Sequence, residues 1–257
     1  MKISIITVCY NSAKTIEDTL KSVASQKDLN IEHIVIDGAS TDETLQIIKQ
    51  HDSVTRLISE PDKGIYDAMN KGISLATGDV IGTLNADDFY MDDHVLSDVA
   101  KIFLDPNIDA CYGDLLYVSE ANTDHAVRFW KSTNYKHGLF KSGWMPAHPT
   151  FFVRKNVYER LGNFDLNYKI AADFELLFRF IEKNKVNTKY LPKVLVKMRL
   201  GGTTNKNVSN IIWQNKEIFT ILRAYYADFS ILKFAAKKLI NRFLQFYCGY
   251  KFRIFGK

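Results

Sequence analysis

Apolar and polar positions in the first hundred residues follow two alternating repeats. Short, continuous apolar runs, typical of strands that are buried on both faces, occur at residues 3–8, 34–36, 56–59 and 80–84. Between these runs, apolar residues recur at the three-to-four-residue spacing of an amphipathic helix. Because strands and helices alternate along the chain, the pattern predicts a doubly wound, largely parallel α/β sheet.

Helix starts are predicted from the polar residues that precede the periodic segments. Ser12 is in a position to cap the first helix. The sequence from Ser40 to Glu43 has the S-x-x-E form of a capping box, which predicts the start of a second helix. Two further helices are predicted at residues 66–76 and 95–103.

The second half of the chain has a different pattern. Strands are predicted at residues 110–118, 127–130, 150–154 and 190–199. One helix is predicted at residues 171–183, and helical spacing returns from Ser209 onward. These strands would extend the first sheet into a mixed, mostly parallel sheet flanked by helices, followed by a C-terminal helical extension.

Composition restricts the class of protein. The chain has 257 residues, 46% hydrophobic and 25% charged, which fits one large α/β domain or two small ones. A net charge of +5 does not favour nucleic acid as a partner. The three cysteines are far apart and predict neither a disulfide framework nor a zinc site. With no signal peptide and no apolar stretch long enough to span a bilayer, we expect a cytoplasmic protein.

Polar residues follow consecutive strand ends, where ligands bind in parallel α/β sheets. Asp37 follows the second predicted strand, and Asn85-Ala86-Asp87-Asp88 follows the fourth. Carboxylates clustered at a strand end are suitable ligands for Mg²⁺ or Mn²⁺. Each segment could instead be a solvated turn, and the nearby Thr7 and Lys63 could be structural or surface residues. Three strand ends that point to one crevice nevertheless favour a binding site.

Five blocks of the sequence resemble those of family 2 glycosyltransferases, in the same order and spacing. They are IITVCYN at 5–11, IDGASTD at 36–42, DKGIYDAMNKG at 62–72, GD at 78–79 and LNADD at 84–88. The chain also resembles the bacterial branch of this family that builds capsular, exopolysaccharide or O-antigen repeat units. The resemblance implies an inverting, metal-dependent enzyme of the GT-A fold that takes a nucleotide-diphosphate sugar as its donor.

The resemblance also implies a division of the chain. Residues 1–205 would form the GT-A catalytic domain, and residues 206–257 a basic and aromatic helical extension. Within the domain, residues 1–105 would bind the nucleotide sugar and residues 106–205 the acceptor.

Residues of the first three blocks are implied to bind the donor. Thr7 and Asp37 would contact the nucleoside, and Lys63 would lie beside it. Asn11 and Asp67 belong to the same blocks and are further candidates for substrate binding.

The last block is implied to be the metal site. Asn85-Ala86-Asp87 stands where the family has its D-x-D motif, so Asp87 is expected to bind Mg²⁺ or Mn²⁺ directly. Asp88 lies next to it as a second candidate. Asn85 is the third, and it replaces the aspartate that the family usually has.

A catalytic base is needed as well, because inverting transfer requires a carboxylate to take the proton of the attacking acceptor hydroxyl. The segment around Asp173 resembles the second signature of the family, which implies that Asp173 is this base. Ala172 replaces the usual acidic neighbour, and Glu175 is the alternative base. If Asp173 were only a helix N-cap, it would have no catalytic role.

Three more residues are candidates near the acceptor or the leaving group. His148 lies in a loop where related enzymes often have a histidine near the acceptor, and Trp144 is able to stack on a sugar face. Arg199 begins a segment that resembles a loop over the site, where it would help to neutralise the leaving diphosphate. A structural hydrogen bond of His148 and a core position of Trp144 are the alternatives.

The segment from residue 228 to 257 has seven basic residues and one acidic residue, interleaved with apolar and aromatic side chains. At helical spacing, this composition is typical of a helix that lies on an anionic membrane, which would suit an acceptor carried on a polyprenyl diphosphate. The alternative is packing on the domain or on a partner subunit of a homo-oligomer. Nucleic-acid binding is not expected, because the catalytic half has no matching basic face.

Together these features predict a cytoplasmic enzyme, peripheral on the inner face of the cell membrane. It would transfer a sugar with inversion from a nucleotide-diphosphate sugar to a hydroxyl of a lipid-linked saccharide in cell-surface polysaccharide synthesis. One alternative is a scaffold subunit with a decayed site, which the residues Asn85 and Ala172 would support. A sugar nucleotidyltransferase is a weaker alternative, because no glycine-rich phosphate loop follows the first strand.

Overall fold

The computed structural model of the chain describes residues 1–27, 29–201 and 208–255. Its strands are β1 (Lys2–Cys9), β2 (Asn30–Asp37), β3 (Arg56–Ser59), β4 (Val80–Asn85), β5 (Asp88–Tyr90), β6 (Ala110–Val118), β7 (Ala126–Trp130), β8 (Phe152–Arg154) and β9 (Thr188–Arg199). Its α-helices are α1 (Ile16–Ala24), α2 (Thr44–Lys49), α3 (Ile65–Leu75), α4 (Val95–Ile102), α5 (Lys155–Leu161), α6 (Ala172–Leu177), α7 (Val208–Tyr225) and α8 (Ile231–Phe255). A π-helical turn over Phe178–Lys183 continues α6.

The strands of the described residues form one sheet in the order β3-β2-β1-β4-β8-β6-β9-β5, with β7 beside β6. The adjacent strands β3, β2, β1 and β4 run parallel to one another, and β6 runs parallel to β9. The pairs β4–β8, β6–β8, β6–β7 and β5–β9 are antiparallel. The predicted α/β architecture, a mixed sheet with flanking helices and a helical C-terminal part, is confirmed.

β1 lies inside the sheet between β2 and β4, which accounts for its unbroken apolar sequence. Every residue from Ile3 to Cys9 is buried. α3 packs closely on this strand, because a Cβ atom added at Gly72 would lie 2.3 Å from Cγ2 of Ile6. The absence of a side chain at Gly72 therefore allows α3 to approach the sheet and to hold Tyr66 near the site.

The predicted caps of the first two helices are wrong. α1 begins at Ile16, and the Ser12 side chain makes no capping hydrogen bond to it. α2 begins at Thr44, and the hydroxyl of Ser40 donates to the carboxylate of Asp37 instead of capping the helix. Serine side chains in loops have several local partners, and tertiary contacts decide among them here.

Two short elements are missing from the prediction. β5 follows the acidic strand end directly, and α5 follows β8. β5 pairs with β9 over only three residues, from Asp88 to Tyr90. A strand of this length has no detectable periodicity, and it forms because a distant strand is available to pair with it.

The two C-terminal helices pack on the sheet domain. Leu222 and Phe234 belong to the same buried cluster as Phe174 of α6. Gly249 lies against β7, where an added Cβ atom would be 2.6 Å from the carbonyl oxygen of Val127. Within the described part of the chain, no helix is both long and apolar enough to cross a bilayer.

Candidate active site

The carboxyl ends of β1, β2 and β3 meet at a hydrogen-bond network centred on Asp37. Its carboxylate accepts the backbone N–H of Ser40 at 3.0 Å and the hydroxyl of Ser59 at 2.7 Å, and the Ser40 hydroxyl donates to it as well. Asp37 has no exposed surface. The residue therefore organises the loops at the end of the sheet where the nucleoside is predicted to bind.

Asn11 joins two of these loops. Its backbone N–H donates to Ser40 Oγ at 2.8 Å, and its side-chain oxygen accepts the N–H of Thr41 at 2.9 Å. The backbone of Asn11 has a φ of +49°, in the left-handed region that asparagine tolerates better than most residues. Asn11 is exposed, so it lies at the surface of the predicted donor site.

Thr7 does not reach this surface. It has no exposed area, and its hydroxyl lies 3.0 Å from Nε2 of His33 on β2. Burial lowers the pKa of His33 to about 3, so the imidazole is neutral and shares a hydrogen bond with Thr7. The side chain of Thr7 therefore joins two strands inside the sheet.

Lys63 and Asp67 lie at the turn that leads into α3. The backbone N–H of Lys63 donates to Asp67 Oδ2 at 2.9 Å, and Lys71 Nζ lies 3.9 Å from the same carboxylate. Asp67 thus stabilises the start of α3, where a negative charge is favourable. Lys63 is exposed at the same edge of the sheet as Asn11.

Asn85, Asp87 and Asp88 lie around the turn between β4 and β5. Asn85 Nδ2 donates to Asp88 Oδ2 at 3.0 Å, while the Oδ1 atoms of both residues are buried without a hydrogen-bond partner. Burial and the adjacent Asp87 raise the pKa of Asp88 well above its usual range. Asp87 is half-buried and is the more accessible carboxylate. Among the described residues, no group of three or more histidine, cysteine or acidic side chains is arranged to hold a metal ion.

Arg199 connects the end of β9 to this acidic turn. It donates to the carbonyl of Asp87 at 2.9 Å, bonds to Asp18 of α1, and lies 4.9 Å above the ring of Phe89. An open cavity of about 620 Å³ beside it is lined by Arg199, Asp18 and the turn between β6 and β7. Most of the loop predicted to follow Arg199, residues 202–207, lies outside the described residues.

Asp173 lies in the first turn of α6. Its Oδ1 accepts the backbone N–H of Phe174 at 2.8 Å. The hydroxyl of Tyr66 is shared between the carbonyl of Ile170 at 2.9 Å and Asp173 Oδ1 at 3.4 Å. Burial raises the pKa of Asp173 to about 6, although the hydrogen bonds from Phe174 and Tyr66 act to lower it. The segment before the helix is held by Glu217 of α7, whose carboxylate accepts the three backbone N–H groups of residues 169–171. The N-cap residue of α6 is Ala171, so Asp173 lies inside the helix and is not its N-cap.

The alternative base is less available. Glu175 forms an ion pair with Arg179, with Nε and Oε1 separated by 2.9 Å. Arg179 also donates to the backbone carbonyl groups of residues 161–163, which fixes the pair to the loop before α6. The carboxylate of Glu175 therefore already has a structural partner, Arg179.

His148 and Trp144 lie in the irregular segment before β8. His148 Nε2 is 3.1 Å from the hydroxyl of Thr83, and burial lowers the pKa of His148 to about 4, so the ring is neutral at pH 7. Trp144 packs edge-on against Tyr112 and Phe140, with ring centres 5.9 and 5.4 Å apart, and its buried N–H has no partner. Both residues contribute to the packing around the cleft.

Tyr117 of β6 links the acidic turn to the α6 region. Burial raises the pKa of Tyr117, Arg128 and Arg242 lower it, and both Asp88 and Asp173 raise it further. One hydroxyl is thus influenced by a carboxylate from each of the two predicted catalytic regions. Asp88 and Asp173 therefore both lie within electrostatic range of Tyr117.

Some residues that shape this cleft were not singled out from the sequence: Asp18, Tyr66, Tyr117, Arg128 and Glu217. Tyr66 lies within the third block of the family resemblance, so its motif was a usable signal. The bond from Ala171 to Glu217 spans 46 positions of the chain. No local pattern indicates a contact of that separation.

Comparisons with known proteins identify the family of the chain. The model of "Glycosyl transferase family 2" matches residues 4–162. The "PGL/p-HBAD biosynthesis glycosyltransferase" of Mycobacterium bovis (strain BCG / Pasteur 1173P2) is 32% identical over 217 residues, which cover 79% of this chain and 78% of the relative.

Solved structures share the fold at lower sequence identity. S. aureus TarS in complex with UDP-GlcNAc is 20% identical, with a TM-score of 0.69 over 95% of this chain and 73% of that chain. In a longer TarS chain, the part that matches this protein makes up 41% of the length. The mannosyltransferase PcManGT from Pyrobaculum calidifontis, in complex with GDP-Man and Mn²⁺, has a TM-score of 0.60 and 15% identity over 99% and 87% of the two chains.

The expected GT-A architecture is confirmed by this structural similarity. The family match extends over more than half of the chain, and the mycobacterial relative exceeds 30% identity over most of both sequences. The protein therefore belongs to glycosyl transferase family 2.

Proposed function

We propose that this protein transfers a sugar, with inversion, from a nucleotide-diphosphate sugar to a hydroxyl of a saccharide acceptor. Its family supports sugar transfer as the reaction. TarS was solved with UDP-GlcNAc and PcManGT with GDP-Man, and both ligands support a nucleotide-diphosphate sugar as the class of donor. The loops after β1, β2 and β3, which include Asn11, Asp37 and Lys63, are the proposed site for the nucleoside.

The environment of Asp173 carries this proposal. A general base is most effective when its pKa lies near the working pH. Burial raises the pKa of Asp173 to about 6, against hydrogen bonds from Phe174 and Tyr66. At pH 7 the carboxylate is therefore mostly ionised, yet basic enough to accept the proton of an acceptor hydroxyl as its oxygen attacks the anomeric carbon.

The acidic turn fits a divalent cation. The buried Oδ1 atoms of Asn85 and Asp88 are oxygen ligands without hydrogen-bond partners, and Asp87 offers an accessible carboxylate. Mg²⁺ and Mn²⁺ prefer such oxygen ligands and take others from substrate phosphates. When bound, the cation would supply positive charge to the donor diphosphate; PcManGT was solved with Mn²⁺.

Arg199 supports departure of the nucleotide. Its guanidinium is held between the Asp87 carbonyl and Asp18, so it is fixed at the acidic turn before the reaction begins. A positive group that is already oriented stabilises negative charge that develops on a leaving diphosphate. We assign Arg199 to this role.

The C-terminal part supports a peripheral position on a membrane. On α8, Leu239, Ile240 and Phe243 are 71%, 58% and 73% exposed, and the exposed Lys233 and Lys237 lie on the same helix. A helix with exposed apolar and basic residues binds the surface of an anionic bilayer. An inner-membrane location would bring the enzyme to a lipid-linked acceptor in cell-surface polysaccharide synthesis.

We also propose the division of labour along the chain that the family resemblance implies. Residues 1–105 would bind the donor and residues 106–205 the acceptor, together forming the catalytic domain 1–205. Residues 206–257 would be the extension that meets the membrane.

The replacement of Asp173 by asparagine tests the reaction. Asparagine keeps the shape of the side chain but cannot accept the proton, so we expect Asp173→Asn to lower transfer by about 10²–10⁴-fold. Binding of UDP- or GDP-sugars, measured by calorimetry with Mn²⁺ present, should stay within twofold of the wild type.

Asp52→Asn is the matched control, because Asp52 is exposed and lies in the turn between α2 and β3. Full transfer activity of Asp173→Asn would exclude Asp173 as the base. Donor binding by the wild type without hydrolysis or transfer to any saccharide would instead support a scaffold subunit.

A further inference from the structure

A buried arginine that has no carboxylate partner among the described residues lies beside the cleft. Arg128 of β7 is only 3% exposed, and its guanidinium carbon is 3.7 Å from the ring centre of Tyr117 and 5.5 Å from that of Trp130. Its Nε has no hydrogen-bond partner. Burial and the cation Arg242 lower the pKa of Arg128, whereas Tyr117 raises it, and no carboxylate of the described residues acts on it. A buried charge without an opposite charge destabilises the fold, so the presence of Arg128 at this position points to an anionic ligand.

One side of α8 carries two more cations toward the domain. Phe234, Lys238, Arg242 and Gly249 recur at helical spacing and therefore share one side of the helix. Phe234 is 1% exposed within the core, and a Cβ atom added at Gly249 would lie 2.7 Å from Cα of Arg128. A Cβ atom added at Gly143 would lie 3.4 Å from Cβ of Lys238, so Lys238 lies on the seam where α8 packs on the domain. The exposed Arg242 lies one turn further along the same side, toward the contact with β7.

Lys238 connects this seam to helix α7. Its Nζ donates to Asn215 at 2.8 Å, and its side chain lies over the ring of Phe234. Burial and the neighbouring Arg242 lower the pKa of Lys238 to about 8, whereas Asp173 raises it. Lysine and arginine four positions apart on a helix repel each other, and neither forms an ion pair with a carboxylate of the described residues. The cluster thus carries excess positive charge, and Asn215, the partner of Lys238, lies on the same helix as Glu217, which holds the segment before Asp173.

We propose that Arg128, Lys238 and Arg242 bind a phosphate or diphosphate group of the acceptor. The inference rests on the proposed function, because it places the anionic end of the acceptor beside the base that activates its hydroxyl. Guanidinium and ammonium groups are strong donors to phosphate oxygens. The donor diphosphate has a separate location at the acidic turn and Arg199. A lipid-linked saccharide and a free sugar phosphate both carry this chemistry.

Calorimetric titration of the full chain tests the site directly. UDP and GDP are titrated first, so that a failure of the proposed donor is seen on its own. Inorganic pyrophosphate is then titrated, in the presence of saturating nucleotide if one binds. Farnesyl diphosphate in phosphatidylcholine vesicles forms the lipid arm, with farnesol vesicles as the blank.

Three variants remove one cation each. Arg242→Ala changes an exposed residue, Arg128→Met keeps the volume of a buried one, and Lys238→Gln keeps a hydrogen-bond donor to Asn215. Lys237→Gln is the matched control, because Lys237 is the exposed neighbour of Lys238 on the same helix. Thermal unfolding of Arg128→Met should occur at or above the wild-type temperature, since the variant removes an unpaired buried charge.

We expect each of the three variants to weaken pyrophosphate binding by about tenfold or more, and Lys237→Gln to match the wild type. Nucleotide binding should remain within twofold in all of them. Equal affinity for pyrophosphate and farnesyl diphosphate would indicate a free phosphate group, and preference for farnesyl diphosphate a lipid-linked one. The proposal is overturned if the wild type binds neither diphosphate, or if the variants weaken UDP or GDP as strongly as pyrophosphate.

Discussion

Burial has different consequences for two carboxylates of the cleft. It raises the pKa of both Asp88 and Asp173, but Asp88 also lies next to the negative Asp87 and has an Oδ1 atom without a partner. Asp173 has hydrogen bonds from Phe174 and Tyr66, which hold its pKa at about 6. Burial thus has two outcomes. Asp173 is mostly ionised at neutral pH, whereas Asp88 resists ionisation until a cation or another positive charge compensates its carboxylate.

Tyr66 tunes the pKa of the proposed base. Its hydroxyl favours the ionised form of Asp173, so Tyr66→Phe should raise the pKa of Asp173 further above its present value of about 6. The base acts when deprotonated, so activity appears as pH rises through this pKa. We therefore expect the acid limb of the pH profile of kcat/KM to move upward by up to about one unit.

The control for this shift is Tyr158→Phe, which removes another buried tyrosine hydroxyl, on α5. Its acid limb should stay at about pH 6, the pKa of Asp173. If the limb of Tyr66→Phe also stays there in a normally folded protein, another group than Asp173 governs the profile.

The sequence singled out Asp87 and Asp173 as candidates because each lies in a motif that resembles a family signature. It could not locate their partners, because contacts between distant segments have no local pattern. Tyr66 and Asp173 are 107 positions apart. Thr7 shares a hydrogen bond with His33 in the next strand, a contact that the sequence of β1 alone does not indicate.

At the scale of elements, β1 and α3 were predictable because their residues repeat over a full strand or helix. The caps at Ser12 and Ser40 were not, because several acceptors compete for a serine hydroxyl. β5 exists only through its pairing with β9. Elements that carry enough of their own hydrophobic pattern were found, and those that depend on a partner were missed.

The contact between α3 and β1 leads to a stability prediction. A methyl group at Gly72 would lie 2.3 Å from Cγ2 of Ile6, so either the helix or the strand must shift. We expect Gly72→Ala to lower the free energy of unfolding by about 1–3 kcal/mol, even though alanine is the better helix former. Urea denaturation followed by circular dichroism measures the difference.

Ser74→Ala, on the exposed side of the same helix, controls for helix propensity. We expect its effect to stay within about 0.5 kcal/mol. A Gly72→Ala protein that is more stable than the wild type would contradict the close packing of α3 on β1.

At the scale of the whole molecule, the C-terminal helix α8 presents apolar residues on two sides. One side of α8 is buried through Phe234 and contacts β7 through Gly249. The other side exposes Leu239 and Phe243. The sequence offered membrane binding and packing on the domain as alternatives, but a helix with two apolar sides is able to do both.

Vesicle binding tests the outward side. We expect the protein to bind vesicles containing phosphatidylglycerol more tightly than vesicles of phosphatidylcholine alone, because basic residues attract anionic lipid. Leu239→Ser and Phe243→Ser should each weaken binding by about tenfold, since each removes a large apolar side chain from the bilayer interface. Co-sedimentation measures the bound fraction.

Leu104→Ser is the control, because Leu104 is equally exposed, at 78%, but lies after α4. It should bind vesicles as the wild type does. If sedimentation equilibrium instead shows a dimer that Leu239→Ser dissociates, and vesicles are not bound, the outward side of α8 is an interface between subunits.

The contact of Glu217 with the segment before α6 has a consequence for chimeric enzymes. A chimera that receives its C-terminal helices from a relative keeps Asp173 but exchanges the carboxylate that accepts the N–H groups of residues 169–171. Without an acidic residue at this place of the grafted helix, these three N–H groups lose their acceptor and the segment that leads into α6 is no longer fixed. A graft intended to change the acceptor must therefore carry its own equivalent of Glu217, or it displaces the residue that the new acceptor needs.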